Sequence, residues 1–286
     1  GKMALDYLVD TLLEVEKLRV AAQVRETHLE KQGRQDEDTA AVRDRLKDFE
    51  DWLTKKLKGE MEAHPTWEWL STVKGVGLEN SAKVVGIIEG THFKNTGEGS
   101  ISAFHTMSQL RAYAGLAPVE GKAERRERGK KLGYNSELRV MLYRLATSLL
   151  KAQGAFYEYY QEQKLRYQQR FAQEGKQVLS TPSAFLCQNC GKLSPKLSGA
   201  SCCPSPHLVR VKREEPEGVI WAGHLHAMAL RMVMTMFQDM LYLAWRRKLG
   251  LSWQPSYIAG KEPVRQHLPE DFSEKPEAID KAKPKK

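Results

Sequence analysis

Apolar residues recurring three and four positions apart set the strongest limit on what this chain can fold into. Leu5, Leu8, Leu12, Val15 and Leu18 form one stripe, and after a break around Gly33 a second runs through Val42, Leu46, Phe49, Leu53 and Leu57. That spacing places the side chains on one face of a helix, whereas a half-buried strand would alternate every second residue. Two such helices predict an antiparallel hairpin, a coiled coil, over residues 1–64. Its outer faces carry alternating charge of the kind that solvates coiled coils, so no catalytic carboxylates are read there. A hairpin tied at one end leaves apolar surface for a second copy, which predicts a homodimer through this N-terminal coiled coil.

The helical period continues downstream. Helices are expected at Thr106 to Ala114, and after an Asn135 cap with Leu138, Leu142, Leu145 and Leu149 inward. Two more are expected, one through Phe156, Tyr160, Tyr167 and Phe171 and one from about Val219 to Leu249. The aromatics of the Phe156 helix are read as core rather than as a base-stacking platform. Strand signals are few, so the fold class is mainly α. A helical domain is expected over 65–172, starting at Pro65. Prolines, glycines and all four cysteines then mark an insert at 173–217. A C-terminal helix at 218–258 should pack on the helical domain, and the proline and charge beyond Gly260 predict a disordered tail at 259–286.

Between Leu70 and Ile88 the chain reads LSTVKGVGLENSAKVVGII, a helix, a Gly-Val-Gly corner and a second helix. Leu70, Val73, Val76, Ala82, Val85 and Ile88 would hold the pair together as a helix-hairpin-helix. Gly75 and Gly77 let backbone approach a phosphate, and the next helix, expected to start near Glu79 or Asn80, offers unpaired N–H groups and a positive dipole end. Lys74 and Lys83 add charge. The alternative is that these glycines serve helix packing alone.

A net charge of +9 and a pI near 9.2 favour a polyanionic partner, because Lys and Arg displace counterions condensed on nucleic acid. Lys122, Arg125, Arg126, Arg128, Lys130 and Lys131 crowd one glycine-punctuated loop, with Arg139 and Arg144 on the following helix. This loop is expected to track phosphates on the same duplex as the corner. Neutralising some six phosphates would give a log-log salt slope of roughly −5. No secretory signal or uninterrupted apolar span is visible, so a soluble, cytoplasmic protein without a membrane partner is expected.

Cys187-x-x-Cys190, followed by Cys202, Cys203 and His207, has the paired spacing of a tetrahedral zinc site. Cys187, Cys190, Cys203 and His207 are the preferred ligands, with Cys202 able to replace Cys203 or His207. Four protein ligands leave no open position, so the zinc would be structural; disulfides are the alternative. His224 and His226 are read as ordinary helix-end residues.

The order Gly75-Val-Gly77, Gln109-Leu-Arg-Ala-Tyr-Ala-Gly-Leu-Ala-Pro118, a basic Arg-Arg-x-Arg-Gly stretch and Asn135-x-x-Leu-Arg139 resembles the C-terminal transposase domain of the insertion-sequence one-ten family. These are bridge-RNA-guided recombinases related to pilin-gene invertases. The likeness spans about Trp67 to Lys164 and extends to the helix holding His226, Arg231, Trp245 and Arg246. It implies DNA binding, recombination and transposition by a mobile element. The family's chemistry needs four acidic residues in a preceding nuclease domain and a serine shortly after the Ala-Pro pair. Here nothing before Pro65 reads as a strand bearing carboxylates, and Val119-Glu-Gly-Lys-Ala123 follows the proline. Ser136 reads as part of a helix N-terminus. No catalytic residue is therefore assigned, and a DNA-binding protein is the leading expectation. A recombinase subunit whose nuclease domain is supplied in trans, or a structured-RNA-binding component, are the alternatives.

Overall fold

The computed structural model describes residues 4–91, 100–119, 122–123, 129, 131–180, 185–194, 202–211, 214–253 and 267–274. Helices carry most of them, as the period requires: α1 (Leu5–Lys31), α2 (Glu37–Glu62), α3 (Trp67–Leu70), α4 (Leu78–Glu89), α5 (Met107–Tyr113), α6 (Ser136–Ala152), α7 (Ala155–Gln173) and α8 (Ala222–Lys248). The described residues also form seven strands of two or three residues, β1 (Pro118–Val119), β2 (Lys122–Ala123), β3 (Gln177–Leu179), β4 (Phe185–Cys187), β5 (Leu193–Ser194), β6 (Leu208–Arg210) and β7 (Val219–Trp221), and two short 3-10 helices, Ser100–Ala103 and Pro269–Phe272. The chain divides into two units, Gly1–Glu158 with Val233–Lys286, and Tyr159–Met232.

In the first unit, α1 and α2 run antiparallel, because Arg19 pairs with Glu50 while Arg43, earlier in α2, pairs with Glu26, later in α1. Asp36 starts α2 by accepting from the Thr39 amide at 3.3 Å. Leu5, Leu8, Leu12, Leu53, Leu57 and Met61 are buried where the hairpin meets α4. Farther out, Leu18, Val42 and Phe49, expected inside, are 57%, 52% and 43% exposed. A two-helix layer without a third element cannot cover a full apolar face. Helix α4 is the unit's centre: every residue from Ser81 to Ile88 is buried, and α1, α2 and α6 pack around it.

The helix expected from Val219 begins three residues later. Val219-Ile220-Trp221, a β-branched and aromatic run after Gly218, instead forms a parallel strand with β3. Part of the expected disordered tail is ordered too. Pro269 and Phe272 are buried, Phe272 stacks on Phe156 at 4.2 Å, and the Trp69 indole donates to the Pro269 carbonyl at 2.9 Å. Glu274 follows, its amide on the Thr72 carbonyl at 2.8 Å and its carboxylate on the Ala155 amide at 3.2 Å. One buried aromatic ring outweighs the charge of its neighbours, which a composition argument averages away.

The second unit has its own small core of Phe171, Ile220 and Leu225, flanked by Tyr167, Val178 and Met228. It also holds an antiparallel three-stranded sheet in the order β5-β4-β6, with Leu186 opposite both Leu193 and Val209.

Candidate nucleic-acid interface and cysteine cluster

The two glycines of the corner do different work. Gly75 has φ +89°, and a Cβ there would lie 2.5 Å from the Ala152 Cβ and 3.1 Å from the Ser148 carbonyl oxygen on α6. The Ser148 hydroxyl donates to the Gly75 carbonyl at 2.9 Å. Gly75 is therefore a packing glycine that lets the corner close on α6. Gly77 is exposed, with φ −91°, and a Cβ added there would meet nothing within 4 Å. It caps α4 without a side-chain hydrogen bond, and the helix starts at Leu78 rather than Glu79 or Asn80. The first amides of α4 have no intrahelical acceptor. Lys74, half-buried beside this end, has no carboxylate partner among the described residues. Lys83, expected to face phosphate, is 3% exposed and held by Glu16 and by Glu79, the latter at 2.9 Å. Its charge is committed to ordering α1 against α4, so it leaves the interface.

The basic loop springs from the other end of this helix pair. Tyr113, in the segment that carries the family resemblance, receives hydrogen bonds on its hydroxyl from Thr91 at 3.0 Å and from the Asn135 amide at 2.7 Å. Its carbonyl accepts from the Asn135 backbone at 2.7 Å. Gly115, at φ +67°, lies against the Tyr134 ring, where a Cβ would be 2.5 Å from the nearest carbon. The Tyr-Ala-Gly segment thus clamps both stems of the loop to the α6 N-terminus, where Asn135 caps Leu138 at 2.9 Å. Between the stems, β1 pairs with β2, placing the Lys122 backbone in a two-residue ladder. Arg125, Arg126, Arg128 and Lys130 lie outside the described residues; Lys131 is exposed, and the Arg139 guanidinium sits 5.0 Å from the centre of the Tyr134 ring. Ser136 is exposed beside the cap.

Asn135 and Ser148 stand thirteen residues apart on or beside one helix, or about 20 Å at 1.5 Å per residue. The corner touches one end and the loop stems the other, so these two elements are not adjacent. Nor are the late-helix cations free. Arg246, 4% exposed, donates to the carbonyls of Ser252, Ile101 and Phe104. Arg111 grips Asp239 with two hydrogen bonds, one of 2.8 Å; burial still pushes the Asp239 carboxyl above its ordinary value, against the pull of Arg111.

In the second unit the sulfurs of Cys187, Cys190, Cys202 and Cys203 lie within 4.8 Å of one another. Cys187 ends β4 and opens a tight turn: its carbonyl accepts from Gly191 at 2.8 Å and its amide donates to Lys192 at 2.9 Å. Cys202 and Cys203 come from the segment before β6. Metal–sulfur bonds of about 2.3 Å in a tetrahedron put sulfurs about 3.8 Å apart, and Cys187 and Cys203 are 3.7 Å apart. His207, the fourth preferred ligand, is exposed outside the cluster, and Cys202 takes its place. Burial raises the Cys187 thiol, but the amides of Cys190 and Asn189 and the neighbouring thiols overcome this and bring it down to about 6. Burial and the adjoining sulfurs push Cys202 up to about 12. One thiolate among thiols is the arrangement sulfur repulsion allows; four thiolates together need a cation.

Residues 68–161 match the Transposase IS116/IS110/IS902 family, consistent with a C-terminal transposase domain of that family. The match covers about a third of the chain. No curated protein and no solved structure matches. Among the described residues, no helix is long and apolar enough to cross a membrane.

Proposed function

We propose, from the premise that residues 68–161 are a transposase-type domain, that this chain holds DNA by its phosphates at two places, one beside each end of α6. One contact is the α4 N-terminus with Gly77 and Lys74. The other is the loop carrying Lys122, Arg125, Arg126, Arg128, Lys130 and Lys131, with Arg139 at its stem. The two ends of α6 are about 20 Å apart, or about six base pairs at 3.4 Å per step along a strand, so one duplex can span both ends. Such contacts orient a protein without reading sequence. The observation that carries this reading is the open space at Gly77, a helix start without a side-chain cap within the family-matched segment.

The sequence after Pro118 supplies no serine before Ala123, so binding and positioning are proposed rather than cleavage. Zinc is the ion proposed for the four cysteines. With every position filled by sulfur it would brace the β5-β4-β6 sheet, whose short strands bury too little to hold themselves. Leu18 and Val24, exposed on α1, support a homodimer through the hairpin.

Gly77→Asp tests the reading directly. Aspartate is a good N-cap, so the helix start is kept while negative charge enters where phosphate must approach. Anisotropy of a labelled duplex of about 30 base pairs should show weaker binding by the variant and a wild-type salt slope of roughly −5 for some six neutralised phosphates. Unchanged affinity would remove the turn from the site, and a slope near zero would remove the whole proposal.

A further inference from the structure

On the outer face of α2, Arg45, Phe49, Trp52 and Lys56 recur at spacings of four and three, with Asp48 and Lys55 next to them, and all six are exposed. Phe49 and Trp52 are 43% and 46% exposed, with ring centroids 5.8 Å apart and planes 17° from parallel. The Lys56 ammonium lies 5.8 Å from the centre of the Trp52 ring. The other charges of this stretch are spoken for: Arg43 pairs with Glu26 and Asp44, Lys47 with Glu50 and Asp51, and Arg19 with Glu50. Arg45, Lys55 and Lys56 have no carboxylate partner among the described residues. The stripe is left with two aromatic surfaces and a net charge of about +2, bracketed by cations at both ends.

We propose that this stripe is a binding site for single-stranded DNA, with unstacked bases on Phe49 and Trp52 and the backbone phosphates on Arg45, Lys55 and Lys56. Aromatic platforms with flanking cations suit single strands because every base has a π face and every linkage a charge. Duplex bases are already stacked and cannot use the rings. A second copy of the chain fits less well. In an antiparallel seam centred between Phe49 and Trp52, Arg45 of one copy would face Lys56 of the other, and in a parallel seam each cation would face itself. Like charges opposed across an apolar seam oppose pairing. The family match is to proteins of DNA transposition, which favours DNA as the strand. The assignment does not depend on the Gly77 contact, which lies on another element.

The test uses the full chain and fluorescein-labelled oligo-dT of about twenty nucleotides, long enough for one such site. Phe49→Ala with Trp52→Ala should weaken binding at least tenfold, since stacking contributes about 1–3 kcal/mol per base and two rings are lost. The salt slope and the affinity for duplex should be unchanged. Neither side chain belongs to the buried core, so the circular dichroism spectrum and melting curve should stay close to the wild type. Arg45→Gln, Lys55→Gln and Lys56→Gln together should flatten the slope by about 2, at roughly 0.7 per phosphate. Gly77→Asp should leave oligo-dT binding intact. The proposal is overturned if the aromatic variant binds oligo-dT as the wild type does, if it turns a dimer into a monomer in sedimentation without losing oligo-dT, if Gly77→Asp abolishes oligo-dT binding, or if oligo-U binds tenfold tighter than oligo-dT.

Discussion

Replacing Gly75 by alanine should unfold the protein at markedly lower denaturant, while the same change at Gly77 should be nearly silent. At Gly75 the left-handed backbone costs an alanine about 1–2 kcal/mol. The added carbon would sit 2.5 Å from Ala152 and 3.1 Å from a helix carbonyl that cannot swing aside, and such overpacking costs about 1–3 kcal/mol. Restricting the unfolded chain returns about 0.4–1 kcal/mol. The net is about 3 kcal/mol, a large share of a typical domain's stability. With a urea dependence of about 2 kcal/mol/M, the midpoint should fall by roughly 1.5 M. At Gly77, φ is ordinary and the surrounding space is open, so a small capping loss and the same entropic gain should cancel to within about 0.5 kcal/mol. Tryptophan fluorescence in urea measures both. Adding Ala152→Gly to Gly75→Ala removes the worst contact and should recover about 1 kcal/mol as a coupling energy. Equal midpoints for the two single variants would refute the assignment of Gly75 to packing and Gly77 to open space.

Cys202→Ser should release the bound metal, measured by mass spectrometry and a colorimetric chelator, whereas His207→Ala should retain it; metal loss from the histidine variant would invert the ligand set. Phe272→Ala should cost about 3–5 kcal/mol, the usual range for a buried phenylalanine, and amide exchange over residues 267–274 should accelerate to the rate of an open chain. Slow exchange there in the variant would show that the Trp69 and Glu274 contacts suffice without the ring.

Helices were legible in the sequence because period and caps are local properties: Thr106, Asn135 and Asp36 each cap the helix that follows them. Which of two glycines faces a neighbour was not legible, since the α6 residues that settle Gly75 lie more than seventy positions away. Lys83 failed for a related reason. A lysine on a helix near a glycine corner reads as free charge until Glu16, on another helix, is placed beside it. In the cysteine cluster, spacing identified the two pairs, while the choice between Cys202 and His207 stayed open because it depends on how the segment before β6 folds, and that segment brings the Cys202 sulfur to the other three. The expectation that corner and loop sit together came from nearness in sequence; a helix of seventeen residues separates the corner from the loop's stems.

Unit one is discontinuous in the chain, being interrupted by the 159–232 unit. The Trp69 indole finds its acceptor two hundred residues later, at Pro269. During synthesis, then, Trp69 and Phe156 emerge long before Phe237 of α8 and the 267–274 segment exist to cover them. Nascent chains must hold that apolar surface in an unfinished state while a whole unit is made, which predicts slow, late closure and a dependence on chaperones that a simple hairpin protein would not have.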